Sequence, residues 1–336
     1  MQSILPQNGN LTIDLDDVRS ILAVPNDQPF SGMSGRYQLF STDQIVERAS
    51  SLGLVPTAAF YQKARRPNRG GDEVRRHCIR MSRTDDVGKV HDRPEIVIIN
   101  SHNGSSALEI QMGIFRIVCS NGLVLKGADY GGAKFYHRKT DMDKILDTLD
   151  FMVNHFDRAR QSMADFATID LNDHQRELFA KGARAIYNNH MLTPRAIDPL
   201  ALLVPKRYED SGHDLWSTFN VVQENMMKGG ILLHGRDENR KGSRSAKTRA
   251  IREIVTANSL NGDLWEFASN WFKGETDPEE LVTDLLHHER DMFAISQKKA
   301  PTAPTTPSVP SAPVTTTAVI GNPSDPTVID EAEFIG

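Results

Sequence analysis

A chain of 336 residues, 39% hydrophobic and 25% charged, has the composition of an ordinary soluble globular protein, long enough for one large domain or two small ones. Its formal net charge of −5 argues against wholesale coating of nucleic acid, and no apolar run approaches the roughly 18 residues that a membrane-spanning helix needs. Two cysteines, Cys78 and Cys119, make neither a disulfide framework nor a thiolate zinc site. The amino terminus lacks the basic and apolar regions of a secretory signal, so a cytoplasmic location is expected.

The pattern predicts an α+β protein in which residues 1–138 form a mixed α/β sheet region with hairpins. Residues 139–297 form a helical region packed on it as one folded unit, and 298–336 a disordered tail. In chain order, Asp14, Asp16 and Asp17 suit a helix N-terminus, although three carboxylates can also bind a metal. Ser41 and Gln44 form a capping-box pattern for a short helix with Ile45, Val46, Ala49 and Leu52 on one face and Gly53 closing it. The segments LVPTAAFY and VRRHCIRMS read as strands. In the second, Arg76, Cys78 and Arg80 share one face by period-two geometry, and His77, Ile79 and Met81 the other. EIVIIN is a continuously apolar strand, as expected of one buried on both faces.

Two small polar clusters follow closely, Asn-Ser-His-Asn-Gly-Ser-Ser at 100–106 and Cys-Ser-Asn-Gly at 119–122. If Gly113–Cys119 continues as a strand, the span from Ser106 to Cys119 is roughly 40 Å and the clusters lie at opposite ends of a meander. If it is a helix, Gly122 becomes its left-handed cap and the chain folds back. Only a compact arrangement lets Asn100, His102, Arg116 and Asn121 act together on a phosphate or a water.

Thr140 and Asp143 make a second capping-box pattern. Beyond them Met142, Ile145, Leu146, Leu149, Met152, Val153, Phe156, Met163 and Phe166 predict one long amphipathic helix. Further helices are expected at about 173–189, 211–228, 244–260, 263–273 and 278–296 (ranges as read from the sequence). Ser211 and Asp214 open the second of these and Gly229-Gly230 stop it; Asp277 and Pro278 open the last. Trp216, Phe219, Val222 and Met226 should face the core, leaving Asn220, Gln223 and Glu224 at a polar junction. From about residue 298 the chain is rich in Pro, Thr, Ser and Ala, and ends in the acidic-hydrophobic VIDEAEFIG.

Charge is segregated. Residues 63–93 carry ten Lys/Arg against five Asp/Glu, and residues 228–252 eight against two. Such blocks create a local positive field despite an acidic total. Arg65, Arg66, Arg69, Arg75, Arg76, Arg80 and Arg83 occupy a loop and the strand after it, with Phe60, Tyr61 and Tyr37 as candidate base-stacking faces. Arg240, Lys241, Arg244, Lys247, Arg249 and Arg252 are expected to begin a helix after a Gly/Ser loop. No phosphate loop, nucleophile elbow, zinc-protease helix or paired-cysteine metal site is present. His287-His288-Glu289 reads as a solvated patch, because adjacent helical residues diverge by about 100°. No catalytic residue, cofactor or metal ligand is assigned.

The stretch PEIVIINSHNGSSALEIQMGIFRIVCSNGLV, followed by DLWSTFNVVQENMMKGG and LWEFASNWF, resembles the phage- and plasmid-borne family called domain of unknown function 932. The resemblance covers roughly Gly35 to Trp271. It carries over Asn100, His102, Gly104, Ser105, Arg116, Cys119, Asn121, Gly122, Asn220, Gln223, Glu224 and Asn225 as motif residues. It implies a mobile-element protein in a bacterial cytoplasm and supplies no reaction. The tail is similar, more loosely, to the acidic tails of single-stranded-DNA-binding proteins. That similarity implies that Asp330, Glu331, Glu333 and Phe334 dock a replication or repair partner, although Ile335 and Gly336 follow the phenylalanine here. Together these readings point to a protein that binds single-stranded nucleic acid in annealing, recombination or replication, with homo-oligomerisation left open and no membrane partner. An interaction protein that modulates a host defence system, and a metal-dependent nuclease, are the competing readings.

Overall fold

The computed structural model describes residues 2–6, 11–22, 33–62, 76–88, 92–116, 121–125, 132–138, 140–191, 195–233 and 247–298. The sheet is built from β1 (Gln2–Ile4), β2 (Leu54–Gln62), β3 (Arg76–Arg83), β4 (Asp92–Ser101), β5 (Leu108–Arg116), β6 (Asn121–Val124) and β7 (Gly132–Phe135). Its order is β1-β2-β3-β4-β5-β6, with β7 also on β5, and every pairing is antiparallel. β6 pairs with Gly113–Arg116 and β7 with Leu108–Gln111, so the two short strands share one edge of β5 end to end.

Both faces of the central strands are covered, which is why Ile96, Val97, Ile98 and Ile99 are all 0% exposed. Ile79, Met81, Ile96, Ile98, Ile110 and Met112 join the main core, whereas Cys78, Val97 and Ile99 meet Ile254 on the opposite face. The two-residue alternation in β3 is thus as the sequence indicates. Burial of each such aliphatic side chain contributes about 1.5–3 kcal/mol.

Helices α1 (Leu15–Leu22) and α2 (Thr42–Ser51) lie among the strands in sequence. Asp16 and Asp17 stand in the first turn of α1, and Asp16 pairs with Arg19 at 3.2 Å. Ser41 caps α2, accepting from the Gln44 amide at 3.3 Å. The helical half comprises α3 (Met142–Asn154), α4 (Phe156–Phe166), α5 (Asp173–Asn189), α6 (Leu215–Lys228), α7 (Ile254–Lys273) and α8 (Pro278–Lys298). Its centre is aromatic: Trp265, 0% exposed, stacks on Phe166 at 4.8 Å and meets Phe219 edge-on at 5.9 Å. Trp216, Phe219, Val222 and Met226 are buried in this core, as their spacing requires.

Four expectations are corrected. The single long helix is broken at His155, whose φ of −102° and ψ of 12° leave the helical region. One apolar stripe (Ile145, Leu149, Met152) and the next (Phe156, Ala159, Met163) therefore run on separate axes, although the spacing of apolar residues continues across the break. Asp141, not Thr140, caps α3, accepting from the Asp143 amide at 3.2 Å. The helices expected at 244–260 and 263–273 are one helix starting only at Ile254, with Glu253 as its cap. It continues through Asn261-Gly262, both buried, because Asn261 Oδ1 accepts from Gln223 across the α6–α7 contact at 3.0 Å. Finally, Glu289 is not solvated: it binds Arg184 at 2.9 Å and Asn188 at 2.6 Å, tying α8 to α5.

Among the described residues no helix is long and apolar enough to cross a membrane. A compact unit runs from Met1 to Lys298. The tail, including Asp330, Glu331, Glu333 and Phe334, lies outside the described residues, as do Arg65, Arg66, Arg69, Arg75, Cys119, Arg240, Lys241 and Arg244.

Candidate functional site

The two Asn-Gly clusters do not meet. The first is the turn between β4 and β5, whereas Asn121 and Gly122 lie inside β6, paired with Arg116 and Phe115 at the far end of β5. A nine-residue strand separates them, about 30 Å at the usual rise per residue. Gly113–Arg116 is strand, as the β-branched Ile114 favours, and no shared site is formed among the described residues.

The first cluster instead closes a buried polar hub. Its centre is the Thr42 hydroxyl at the start of α2, which lies 2.8 Å from His77 Nε2, 3.1 Å from His102 Nε2 and 2.9 Å from Asn100 Nδ2. Asn100 also donates to the Phe40 carbonyl at 2.9 Å. The arrangement constrains protons. A hydroxyl has one hydrogen and two lone pairs, and the Asn100 amide takes one lone pair. One imidazole must then accept from Thr42 while the other donates to it, so the two Nε2 atoms play opposite roles. His102 is 2% exposed, its Nδ1 has no partner among the described residues, and burial pushes its pKa down to about 4. His137 sits beside it, between Tyr37 and Phe40 at 4.8 Å from each ring, with Nδ1 donating to the Gln38 carbonyl at 2.9 Å. Burial lowers its pKa as well. Gly104, at φ +69°, keeps the turn beneath Met33 and Tyr37. Among the described residues no group of three or more His, Cys, Asp or Glu side chains is placed to hold a metal. The hub anchors the helix, strand and turn to one another.

Among the N-terminal arginines, Arg76, Arg80 and Arg83 are described and are engaged in the fold. Arg80 is 6% exposed and ion-paired with Glu95, which is 0% exposed, so it cannot track a phosphate backbone. The period-two pattern placed it on a face, and Ile254 at the start of α7 packs on that face with Cys78, Val97 and Ile99. Arg76 spans from Glu253 at 2.7 Å to the Ser105 carbonyl at 2.8 Å, fastening the motif turn to the start of α7. Arg83 donates to the Val153 carbonyl at 2.9 Å and lies over the Phe156 ring, at the junction of α3 and α4. Tyr37, whose burial pushes its pKa to about 12, and Phe60, packed against the second core cluster, are not free stacking faces.

The second motif supports a different surface. On α6, Asn220, Gln223, Glu224 and Asn225 are all buried. Asn220 Nδ2 donates to its own helix at the Trp216 carbonyl, 2.7 Å away, and Asn225 Nδ2 holds the carbonyls of Leu202 and Val204 at 2.9 and 3.0 Å. Glu224 binds Arg207 through both nitrogens, at 2.7 and 2.5 Å, and Lys228 at 2.7 Å. Burial pushes its carboxyl up, but these two cations outweigh it and hold it below the usual range. The motif thereby fixes residues 202–208, which present Lys206 and a Tyr208 that is 90% exposed.

Beside this segment runs a strap, residues 247–252, on the last turn of α6. The Thr248 amide donates to Ile231 at 2.8 Å, Gly230 to Thr248 at 2.9 Å and Ile251 to Met227 at 3.0 Å, while Lys247 bridges Leu232. The approach is close: a Cβ on Gly229, at φ +66°, would lie 2.6 Å from the Arg249 carbonyl carbon. Lys247 and Arg249 are therefore on an extended strap and not on the expected helix. Together with Arg252 they are exposed, and none is in an ion pair among the described residues. Leu232 and Lys247, on either side of the basic block in sequence, are bridged here. Lys206 and Tyr208 were missed by sequence reasoning because the residues that position them are buried partners such as Glu224, whose role is tertiary.

Fold and surface define an α+β protein with an antiparallel sheet backed by helices and an exposed basic strap at the end of α6. The chain belongs to the family described as domain of unknown function DUF932, whose model matches residues 29–265. It is similar to two Escherichia coli (strain K12) proteins, "UPF0380 protein YafZ" at 31% identity and "UPF0380 protein YfjQ" at 30%. Each match covers 251 residues, 74% of this chain and 88% of the relative. No solved structure matches the chain.

Proposed function

We propose that the chain binds single-stranded nucleic acid across the strap 247–252 and the adjoining residues 206–208. It would serve as a phage- or plasmid-borne accessory of recombination or replication. The observation that carries this reading is the alignment of three exposed cations without ion pairs among the described residues, Lys247, Arg249 and Arg252, on a strap pinned by backbone hydrogen bonds beside α6. Cations held at fixed spacing neutralise successive phosphates without having to be ordered first. Tyr208 offers a stacking face, which single strands use and duplexes do not. Arg207 and Lys228 are tied to Glu224, so they shape the surface more than they charge it.

The test is binding of single-stranded DNA, duplex DNA and RNA across salt by the full chain and by a Lys247→Glu, Arg249→Glu, Arg252→Glu variant. Each phosphate contact on a single strand contributes about −0.7 to the slope of log affinity against log salt. Loss of three contacts should flatten the slope by about 2, so a fourfold rise in salt weakens the parent about 18-fold more than the variant. Tyr208→Ala should weaken single-strand binding and spare the slope. A folded triple variant with the parent's slope would refute the reading. A salt-insensitive complex with a host protein in place of nucleic-acid binding would favour the defence-modulator reading, and divalent-dependent turnover the nuclease reading.

A further inference from the structure

The strap borders a small platform of extended chain. Leu232 is bridged to Lys247 and Leu233 to Ile197, both antiparallel, so residues 231–233 run between Ile197 on one side and the strap on the other. Bridge partners point to the same side, and successive residues of an extended chain to opposite sides. Ile231 and Ile197 are accordingly buried, whereas Leu232 stands beside Lys247 on the outer side and is 51% exposed. The segment that precedes α6 reaches the same end of that helix. Asn225 holds the Val204 carbonyl at 3.0 Å, and the Val204 side chain is 59% exposed. Just beyond it, Lys206 lies near enough to Lys228 to feel its charge.

Lone exposed aliphatic side chains are ordinary. Leu232 and Val204 are distinguished by their setting, fixed on hydrogen-bonded backbone beside cations. A polyanion that also carries apolar groups complements such a surface: phosphates meet the cations, and an apolar group covers each aliphatic side chain. Among the four DNA bases only thymine carries a methyl group, on C5. We propose that this surface selects thymine in single-stranded DNA, the C5-methyl groups packing on Leu232 and Val204. The inference rests on the nucleic-acid reading of the strap and names the strand that the strap prefers. Lys247, Arg249 and Arg252 hold phosphates, which every strand shares, and Tyr208 stacks on any base, so neither discriminates. Uracil lacks the methyl and leaves both aliphatic side chains in water. DNA is thereby told from RNA at the base, without a contact to the sugar 2′-hydroxyl.

The experiment is titration of the full chain with oligothymidylate and with oligodeoxyuridylate of equal length, followed by fluorescence anisotropy across salt. Packing of one methyl group contributes about fourfold in affinity, so the parent should favour thymidylate by at least about fourfold. Leu232→Ser combined with Val204→Ser changes two exposed side chains. It should keep the parent's melting and salt slope while the thymidylate preference disappears. Tyr208→Ala should weaken both strands alike. Equal affinity of the parent for the two strands overturns this inference alone, whereas failure to bind either strand overturns the proposed function with it. A preference that survives in the folded double variant overturns the contact with Leu232 and Val204, and its loss in Tyr208→Ala would assign the methyl to stacking. Concentration-dependent dimerisation of the parent that is lost in the double variant, with no thymine preference, would overturn the proposal in favour of a contact between two copies of the chain.

Discussion

The Thr42 hub makes the protein's stability depend on pH through one imidazole. His102 titrates at 6.5 when solvated and at about 4 in the fold, because burial disfavours the imidazolium. The unfolded chain therefore binds a proton that the folded chain refuses between these values. The stability contribution is complete above pH 6.5 and is lost progressively as pH falls towards 4. The full difference corresponds to about 3 kcal/mol, most of which should be lost by pH 4.5. Lowering of His137 acts in the same direction. His102→Gln can still exchange a hydrogen bond with Thr42 but does not titrate. Urea denaturation, followed by tryptophan fluorescence at pH 7 and pH 4.5, should show the parent losing about 2–3 kcal/mol more than the variant. Carboxylates common to both proteins cancel in that difference. Equal losses in the two proteins, or an NMR titration of His102 near 6.5, would refute the argument.

Gly229→Ala should destabilise the fold by more than about 1 kcal/mol and lower nucleic-acid affinity, since its Cβ would strike the Arg249 backbone at 2.6 Å. Gly230→Ala, also at positive φ but with nothing within 4 Å, should cost only the backbone strain and spare binding; equal effects on binding would show that the strap's position is irrelevant. Trp216→Ala should cost about 3–5 kcal/mol by emptying a core site and by leaving Asp92 without its indole donor at 3.1 Å; unchanged melting would contradict this. Deletion of residues 322–336 should raise single-stranded DNA affinity, most at low salt, if the acidic end competes for the strap; equal affinity at low salt would end that idea.

Local signals in the sequence were followed closely by the structure. Helix α5 begins one residue after Asn172 and reaches Asn189, and Ser41 caps α2, because both depend on residues within one turn of each other. The strand faces of β3 were legible for the same reason. The break at His155 was not, since the three- and four-residue spacing of apolar groups continues on both sides of it. Arg80 illustrates the limit for charge: its partner Glu95 lies on the next strand, and only the covering of both sheet faces turns an apparent basic surface into a buried ion pair. The Thr42 hub joins side chains 35 to 60 positions apart, a relation that no window along the chain contains. The strap's cations belonged to a visible basic block, but their extended backbone depends on the close approach at Gly229.

The bridge between Leu232 and Lys247 means that the basic block 234–246 starts and finishes at a single rung of hydrogen-bonded chain. A connection between ends held side by side tolerates changes of length: doubling a loop so closed costs only about 0.6 kcal/mol. The strap and the α6 motif that props the neighbouring segment need not move when that insert grows, shrinks or changes charge. Relatives could exchange it to meet different strands or partners, and an experimenter could place a reporter or a second binding module there while the body keeps its stability.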